Sequence, residues 1–290
     1  MFRGAMTALV TPLRDGAVDH ECLRRLVAEQ IAKGIHGLVP CGTTGESPAL
    51  TFEEHVAVVR TVVDETNKRV PVVAGAGSNS TRHTVELARA VKEAGADGLL
   101  LVSPYYVKPT QDGLVAHYRH VLAAAPLPTI LYNVPGRTGG EILPETVQRL
   151  AEIPEIVAVK EASGNVLRTQ QILERCGDRI TVLSGDDALT LGILAVGGRG
   201  VISVTSNVTP DRVAGVCDAW AAGDVAKARA AHYELLPLHD VLFVETSPGP
   251  LKAAMAMLGK IAPEIRLPLV MPESATQERV RAVLVRLDLA

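Results

Sequence analysis

The sequence predicts an α/β protein that forms a closed (β/α)8 TIM barrel with a small C-terminal helical region. Eight short apolar segments alternate with helical patterns, and a length of 290 residues suits one such barrel with an extension. The segments are mostly continuous in apolar character, which is typical of parallel strands buried on both faces. Eight strand–helix repeats favour a closed barrel over an open doubly wound sheet.

The predicted strands are bounded by recognisable helix signals. Helical patterns end at Gly34 and Gly95, a capping box runs from Thr51 to Glu54, and Pro144 suits a first helical turn. The predicted strands cover residues 4–10, 37–40, 70–74, 98–102, 128–132, 156–159, 180–183 and 200–204.

The pattern changes after about residue 222. Residues 223–243, 248–259 and 276–287 are helical in pattern, with no strand between them. We therefore expect residues 1–222 to form the barrel with its active site, and residues 223–290 to form a helical region. Because no Pro-, Gly- and Ser-rich linker separates the two, the helical region is expected to pack on the barrel.

The composition indicates which binding partners and which cellular compartment to expect. Apolar residues make up 47% of the chain, enough for a large core, and a net charge of -3 gives no indication of nucleic-acid or membrane binding. The four cysteines are scattered, which predicts reduced thiols in a cytoplasmic protein and no metal site. No charge-free apolar stretch reaches transmembrane length, and the apolar start is short for a signal peptide.

Lys160 follows the apolar run Ile156–Val159 at the predicted catalytic end of the sixth strand. Apolar surroundings favour a neutral amine, and a neutral lysine amine attacks carbonyl groups to give a Schiff base. The alternative is a structural lysine that pairs with Glu161 or reaches the barrel rim. Lys252 is the nearest rival, but it falls in the helical region.

Polar groups follow other strands at the same predicted end. The segment CGTTGES offers backbone N–H groups and the hydroxyls of Thr43 and Thr44, which suit a carboxylate or a small phosphate. Tyr132 and Tyr106 could relay protons, and Arg137 in a glycine-flanked loop could fork onto a carboxylate. The alternatives are an ordinary turn, amphipathic tyrosine packing and a surface arginine.

Three further motifs give weaker indications of function. One aspartate of the pair Asp186–Asp187 is expected to be a helix N-cap rather than a metal ligand. The GGRG segment at 197–200 precedes the eighth strand, which predicts a place at the bottom of the barrel, away from the chemistry. His55 and His83 fall in helices, with no catalytic pairing. The absence of GxGxxG after the first strand weakens a dinucleotide-binding interpretation.

Taken together, GTTGE, PYY, YNVPGRTG, VAVKEASGN and GVISVTSN, in this order and spacing, resemble the dihydrodipicolinate synthase family. The resemblance spans nearly the whole chain; GTTGE alone is shared with relatives such as N-acetylneuraminate lyase. It implies a class I aldolase-type lyase of lysine and diaminopimelate biosynthesis. Such an enzyme condenses pyruvate with L-aspartate 4-semialdehyde to 4-hydroxy-tetrahydrodipicolinate, with neither a metal nor an organic cofactor.

The resemblance also implies a role for each matching residue. Lys160 corresponds to the Schiff-base lysine, Tyr132 to the proton carrier, and Thr44 and Tyr106 to the rest of a hydroxyl relay. The tyrosine that matches Tyr106 reaches a neighbouring subunit's site in the family, which implies a homo-oligomer, commonly a tetramer built as a dimer of dimers. The substrate-binding positions would be Thr43 and Thr44 for the pyruvate carboxylate, Arg137 for the semialdehyde carboxylate, and Gly185 and Ile202 lining the pyruvate pocket.

Some members of the family are inhibited by L-lysine at a site between subunits. The matching residues here are Ser47, His55, Asn79 and Tyr105. Phe52 stands where lysine-sensitive relatives often carry histidine, and His83 stands where they carry a glutamate. Because a histidine provides no fixed negative charge for the effector's amine, we expect weak or absent feedback inhibition.

Three other functions stay open at this stage. One is a pyruvate-dependent aldolase acting on a sugar acid. Another is a phosphate-binding isomerase or decarboxylase, although SGDD and SVTSN do not look like a phosphate cradle. The third is a non-catalytic barrel that binds a ligand or regulates a partner.

Overall fold

The structure, a computed structural model, describes residues 2–290 and contains ten strands and twelve α-helices within that range. The strands are β1 Gly4–Ala8, β2 Leu13–Arg14, β3 Ala17–Val18, β4 Gly37–Val39, β5 Val73–Gly75, β6 Gly98–Val102, β7 Thr129–Asn133, β8 Ile156–Glu161, β9 Thr181–Ser184 and β10 Gly200–Ser203. Strands β2 and β3 form a small antiparallel hairpin, and the other eight form one sheet.

The helices alternate with the sheet strands and then continue without them. They are α1 His20–Ala32, α2 Phe52–Thr66, α3 Thr81–Glu93, α4 Gln111–Ala124, α5 Pro135–Thr138, α6 Pro144–Leu150, α7 Val166–Cys176, α8 Thr190–Ala195, α9 Pro210–Ala221, α10 Val225–Val241, α11 Gly249–Met257 and α12 Ser274–Arg286. Short 3₁₀ turns lie at Ser47–Ala49, Gly177–Arg179, Asp187–Leu189 and Thr205–Asn207.

The eight-stranded sheet is parallel throughout and closes on itself. Its strand order is β4-β1-β10-β9-β8-β7-β6-β5. A parallel bridge between Leu38 of β4 and Val72, just before β5, joins the two ends of this order. The predicted (β/α)8 barrel is therefore confirmed. A parallel barrel places the carboxyl ends of all eight strands on one side, where active sites of this fold are found.

Side chains from alternate strand positions fill two separate cores. Met6, Ile130, Ala158 and Ile202 pack together inside the barrel, whereas neighbouring positions such as Leu131 face the helices. This is the alternation expected of strands with a period of two, applied to a sheet buried on both faces. It explains why the strand segments are continuously apolar.

The predicted strand positions are confirmed: one strand matches at both ends, and the others differ by one to three residues at one or both ends. Strand β5 begins at Val73 rather than 70, and the proline at 71 lies outside it. Strand β8 continues through Lys160 and Glu161, so Lys160 lies within the strand rather than after it. Its backbone is thereby fixed on both sides by pairing with β7 and β9.

The predicted helix signals act as expected. The Thr51 hydroxyl accepts from the Glu54 N–H at 3.2 Å and the Glu54 carboxylate accepts from the Thr51 N–H at 3.0 Å, which completes the capping box. Gly34 and Gly95, just past two helix ends, have φ of 81° and 95°, in the left-handed region where glycine is favoured. Pro144 opens α6.

The GGRG segment lies at the bottom of the barrel, as expected, and its last glycine has a packing role. Gly200 has a φ of 155°, and a Cβ there would come within 2.0 Å of the Gly4 carbonyl oxygen on the adjacent strand. The close approach of β1 and β10 therefore explains this glycine. Among residues 2–290, no helix is long and apolar enough to cross a membrane.

The three C-terminal helices pack against the barrel around a third apolar cluster, distinct from the two cores of the barrel. Leu238, Leu251 and Leu284 of these helices meet Val10 and Leu26 of the barrel in it. The boundary between residues 222 and 223 falls in the turn between α9 and α10, and its status as a domain boundary stays a prediction.

A buried ion pair links this helical region to the loop after β4. Lys252 of α11 is fully buried and pairs with the Glu46 carboxylate, which is 2% exposed. The Lys252 ammonium also donates to the Glu264 carbonyl at 2.8 Å, and Glu46 accepts from the Arg266 N–H at 2.9 Å. Burial lowers the pKa of Lys252, while Glu46 opposes that shift. Lys252, the rival nucleophile, is thus occupied as a structural cation.

Replacement of Lys252 by methionine should lower the free energy of unfolding by about 3–5 kcal/mol, because it leaves the Glu46 carboxylate buried without a cation. Urea denaturation followed by circular dichroism measures this. Lys227→Met on the exposed surface of α10 is the matched control, with an expected change of about 0.5 kcal/mol or less. Equal losses for the two variants would contradict the assignment.

Candidate active site

Lys160 and Tyr132 lie side by side at the carboxyl end of the barrel. They are register partners on β8 and β7, and the Lys160 Nζ lies 4.1 Å from the centroid of the Tyr132 ring. Both are buried, with 5% and 6% of their surfaces exposed. Within residues 2–290 the Lys160 Nζ forms no ion pair or hydrogen bond, so no protein group occupies the amine.

The alternative of a Lys160–Glu161 pair is wrong. Successive strand residues point to opposite faces, and the Glu161 carboxylate accepts from the Asn133 side chain at 3.0 Å and the Ser163 N–H at 2.7 Å. Lys160 faces the barrel interior instead of a carboxylate.

Gly185 leaves space directly beside Lys160. A Cβ at Gly185 would come within 3.0 Å of the Lys160 Cε and 2.6 Å of the Ala162 Cβ. The structure therefore brings this predicted pocket residue against the amine. Ile202 is fully buried and packs in the interior cluster with Tyr132, below the same end of the barrel.

The loop after β4, residues 40–46, carries Thr43 and Thr44 to the same end. Cys41 and Glu46 have φ of 55° and 54°, unusual for residues with side chains, and these values turn the chain back sharply. Gly75 makes the turn sterically allowed, because a Cβ there would lie 2.1 Å from the Cys41 carbonyl oxygen.

Thr43 and Tyr132 line one small cavity together, which places the loop beside the Lys160–Tyr132 pair. Thr44 is buried, with 5% of its surface exposed. The loop is held from below by a hydrogen bond of 2.7 Å from the Thr11 hydroxyl to the Gly45 carbonyl.

Arg137 lies on the short helix α5, after β7. Its guanidinium donates to the Ser247 carbonyl at 3.4 Å, and it forms no ion pair within residues 2–290. Thr138 next to it is buried and donates to the Val134 carbonyl at 3.1 Å, which holds the turn together. Arg137 is thus an exposed, unneutralised cation at the mouth of the site.

A cavity of about 390 Å³ opens at this end of the barrel. Its lining includes Thr43, Arg137 and Thr138 together with Ser47, His55 and Tyr105. Three of the four residues predicted for a lysine site therefore share one cavity with Arg137. Asn79 is exposed and is not among the lining residues.

Among the described residues, the lining of this cavity includes no carboxylate. His83 and Phe52 contribute to its wall instead, and His83 is 3.6 Å from the Glu86 carboxylate on its own helix. His55 contacts the Gly75 carbonyl through its Nε2 at 2.7 Å, and burial lowers its pKa, so the neutral ring is favoured.

Tyr106 is the one predicted relay residue that the chain does not bring to the site. It is 86% exposed, and its φ of 72° lies in the left-handed region. Lys108, two residues on, has a φ of 44°, so the loop holds two residues in this strained region.

The remaining motifs are structural. Asp186 caps a 3₁₀ turn by accepting from the Ala188 N–H at 3.0 Å, as expected. Asp187 is buried and accepts from the Val204 N–H at 2.8 Å, which ties β9 to the end of β10. Within residues 2–290 no group of three or more His, Cys, Asp or Glu side chains could hold a metal ion.

Two buried polar pairs around the site were missed from the sequence: Asn133 with Glu161, and Glu46 with Lys252. A buried carboxylate leaves no periodic signal, since its partner lies far away in the sequence. One signal could have indicated the first pair: Asn133 and Glu161 each directly follow a candidate catalytic residue in the sequence.

Comparisons with known proteins agree with this geometry. The model of the Dihydrodipicolinate synthetase family matches residues 1–287. The chain belongs to this family. A relative from Nitratidesulfovibrio vulgaris strain Miyazaki F, called 4-hydroxy-tetrahydrodipicolinate synthase, is 54% identical over 98% of this chain and 97% of its own length.

Solved structures of dihydrodipicolinate synthases share the whole fold. The chloride-inhibited enzyme from Acinetobacter baumannii, solved with pyruvate, has a TM-score of 0.98 and 42% identity over 100% of both chains. A monomeric dihydrodipicolinate synthase variant has a TM-score of 0.98 and 41% identity over 100% of this chain and 98% of its own.

Proposed function

We propose that this protein condenses pyruvate with L-aspartate 4-semialdehyde to form 4-hydroxy-tetrahydrodipicolinate. The observation that carries the proposal is the buried Lys160 amine, unpaired within residues 2–290 and lying 4.1 Å from the Tyr132 ring at the carboxyl end of the barrel. Full-length relatives with the name of that enzyme, at about half identity, support the same activity. No observation favours a sugar-acid aldolase or a non-catalytic role.

In the proposed reaction the Lys160 amine adds to the ketone carbon of pyruvate, and loss of water gives a protonated imine. The imine draws electrons from the neighbouring methyl group, so a methyl proton leaves and an enamine forms. The enamine carbon then bonds to the aldehyde carbon of the second substrate, whose oxygen takes up a proton. The amino group of that substrate can replace Lys160 at the imine carbon, which closes the ring and frees the lysine.

The polar groups around Lys160 have separable proposed roles. Tyr132, whose ring centroid lies 4.1 Å from the Lys160 amine, carries protons to and from the nitrogen, the oxygen and the methyl carbon that react around the imine. Thr43 and Thr44 hold the pyruvate carboxylate, and the absence of a side chain at Gly185 leaves room for pyruvate beside the amine. Arg137 binds the semialdehyde carboxylate, which suits a cation without an internal ion pair.

We further propose that Tyr106 completes the relay with Thr44 and Tyr132 in a neighbouring copy of the chain. Its exposure and its left-handed backbone support a dimer at least, and a tetramer made of two such dimers is the assembly we propose. The four free cysteines are all buried, which fits the reducing cytoplasm where we place the protein.

Treatment with pyruvate and borohydride should add one reduced pyruvyl group to the protein, and peptide mapping should locate it on Lys160. Lys160→Ala should abolish the adduct because, among residues 2–290, no other buried amine is unpaired at the site. Lys227→Ala is the matched control and should be labelled like the parent protein. A folded protein without any adduct would remove the Schiff-base mechanism.

Mixing two inactive variants tests the role of Tyr106 across subunits. Lys160→Ala and Tyr106→Phe proteins should each be nearly inactive, but should regain activity after joint dissociation and reassembly. In a mixed dimer one site combines an intact Lys160 with an intact Tyr106 from the other chain. Continued inactivity of a mixture that contains mixed dimers, detected by native mass spectrometry, would place Tyr106 outside the neighbouring site.

L-Lysine should inhibit weakly or not at all, because its ammonium group meets no carboxylate among the described residues that line the cavity. Initial rates measured over a range of L-lysine concentrations test this. The variant His83→Glu restores a carboxylate at that wall and should increase sensitivity. Strong inhibition of the unmodified protein by L-lysine at concentrations below about 1 mM would contradict the expectation.

A further inference from the structure

Asn133 and Glu161 form a pair directly behind the candidate catalytic residues. In the parallel register of β7 and β8, Tyr132 opposes Lys160 and Asn133 opposes Glu161. Because side chains alternate along a strand, the first pair faces the barrel interior and the second faces the helices. The two pairs occupy neighbouring rungs of the sheet on opposite faces.

The pair is fully connected by hydrogen bonds. The Asn133 amide group donates to both Glu161 oxygens, at 3.0 and 3.3 Å, and the Ser163 N–H donates to one of them at 2.7 Å. The Asn133 side-chain carbonyl oxygen accepts from the Ile142 N–H at 2.9 Å. Asn133 therefore closes the base of the loop 134–141 that presents Arg137, and Glu161 fixes the loop that follows Lys160.

Burial of the Glu161 carboxylate is by itself energetically unfavourable. Glu161 is 2% exposed, Asn133 is 0% exposed, and Glu161 forms no ion pair within residues 2–290. A buried carboxylate is destabilising unless hydrogen bonds compensate for its lost hydration. An apolar pair would fill this space at lower cost, but it would leave both loops and the strand register without a side-chain anchor.

We propose that Asn133 and Glu161 are a positioning pair for the reaction at Lys160. They fix the two strands next to the rung that carries Tyr132 and Lys160, and they hold the Arg137 loop relative to the amine. Neither residue touches substrate. The inference rests on the proposed function, since its readout is the chemistry of Lys160.

A reversal of donor and acceptor tests the pair. Asn133→Asp alone sets two carboxylates against each other and loses both bonds of the pair. Glu161→Gln alone places an NH₂ group where one oxygen accepts from Asn133 at 3.0 Å, so it loses that bond and keeps the one at 3.3 Å. In the double variant the introduced glutamine can donate its NH₂ group to the introduced aspartate. The glutamine carbonyl still accepts from the Ser163 N–H, and the aspartate still accepts from the Ile142 N–H. The double variant therefore restores the connections of the pair with the polarity reversed.

Asn133→Asp should lower kcat roughly 10- to 100-fold, the effect expected when reacting groups are misplaced by about 1 Å, and Glu161→Gln should lower it by a smaller factor. The borohydride trapping rate at Lys160 should fall in parallel, and the double variant should recover most of both losses. Rates are expressed per folded molecule from circular dichroism. Glu152→Gln on the exposed surface is the matched control and should retain the parent kcat.

The outcomes separate the two proposals. Single variants that unfold more easily but keep the parent kcat and trapping rate would reduce the pair to a structural role and overturn the inference. A double variant that folds but recovers neither rate would also overturn it. An unmodified protein that is not trapped would instead defeat the proposed function. If Asn133→Asp does not fold, Asn133→Ala, which removes both the donor to Glu161 and the acceptor of the Ile142 N–H, should show the same loss of kcat.

Discussion

The closure of eight parallel strands into one barrel is the constraint on which the rest of this structure depends. Closure forces inward side chains such as Met6, Ile130 and Ile202 into one interior and sends every strand's carboxyl end to one rim. Residues far apart in the sequence thereby become neighbours. Lys160 can be both buried and chemically accessible only because the barrel is packed below it and open above it.

Closure also explains where backbone strain is tolerated. The loop after β4 holds Cys41 and Glu46 in the left-handed region, and Gly75 on the next strand gives it room. The ion pair and hydrogen bond of Glu46 also hold this conformation. The loop that presents Thr43 and Thr44 is therefore over-determined by its surroundings, as strained functional loops usually are.

Most of the fold was readable from the sequence because its signals are local. Continuous apolar strands, the Thr51 capping box and the glycines at helix ends each depend on a few adjacent residues. Lys160 could be identified as a candidate catalytic residue for the same reason, since an amine at the end of an apolar strand is locally unusual.

The supporting contacts were not readable because they join distant segments. Arg266 and Glu46 are 220 residues apart, and nothing local indicates that they meet. Adjacency in the sequence favours Glu161 as a partner for Lys160. The strand pleat separates the two, and the hydrogen-bonding partner of Glu161 is Asn133, 28 positions earlier. The role proposed for Tyr106 involves a second chain, which a single sequence does not describe.

The ion pair between Glu46 and Lys252 sets an order of events during synthesis. A ribosome releases the chain from its N-terminus, so the strands that carry Thr44, Tyr132 and Lys160 emerge before α11 does. Until Lys252 has left the exit tunnel, Glu46 lacks its buried cation, and until Arg266 follows, it also lacks the backbone N–H that donates to it. The loop that carries Thr43 and Thr44 therefore gains its full set of anchors only after nearly the whole chain has been made.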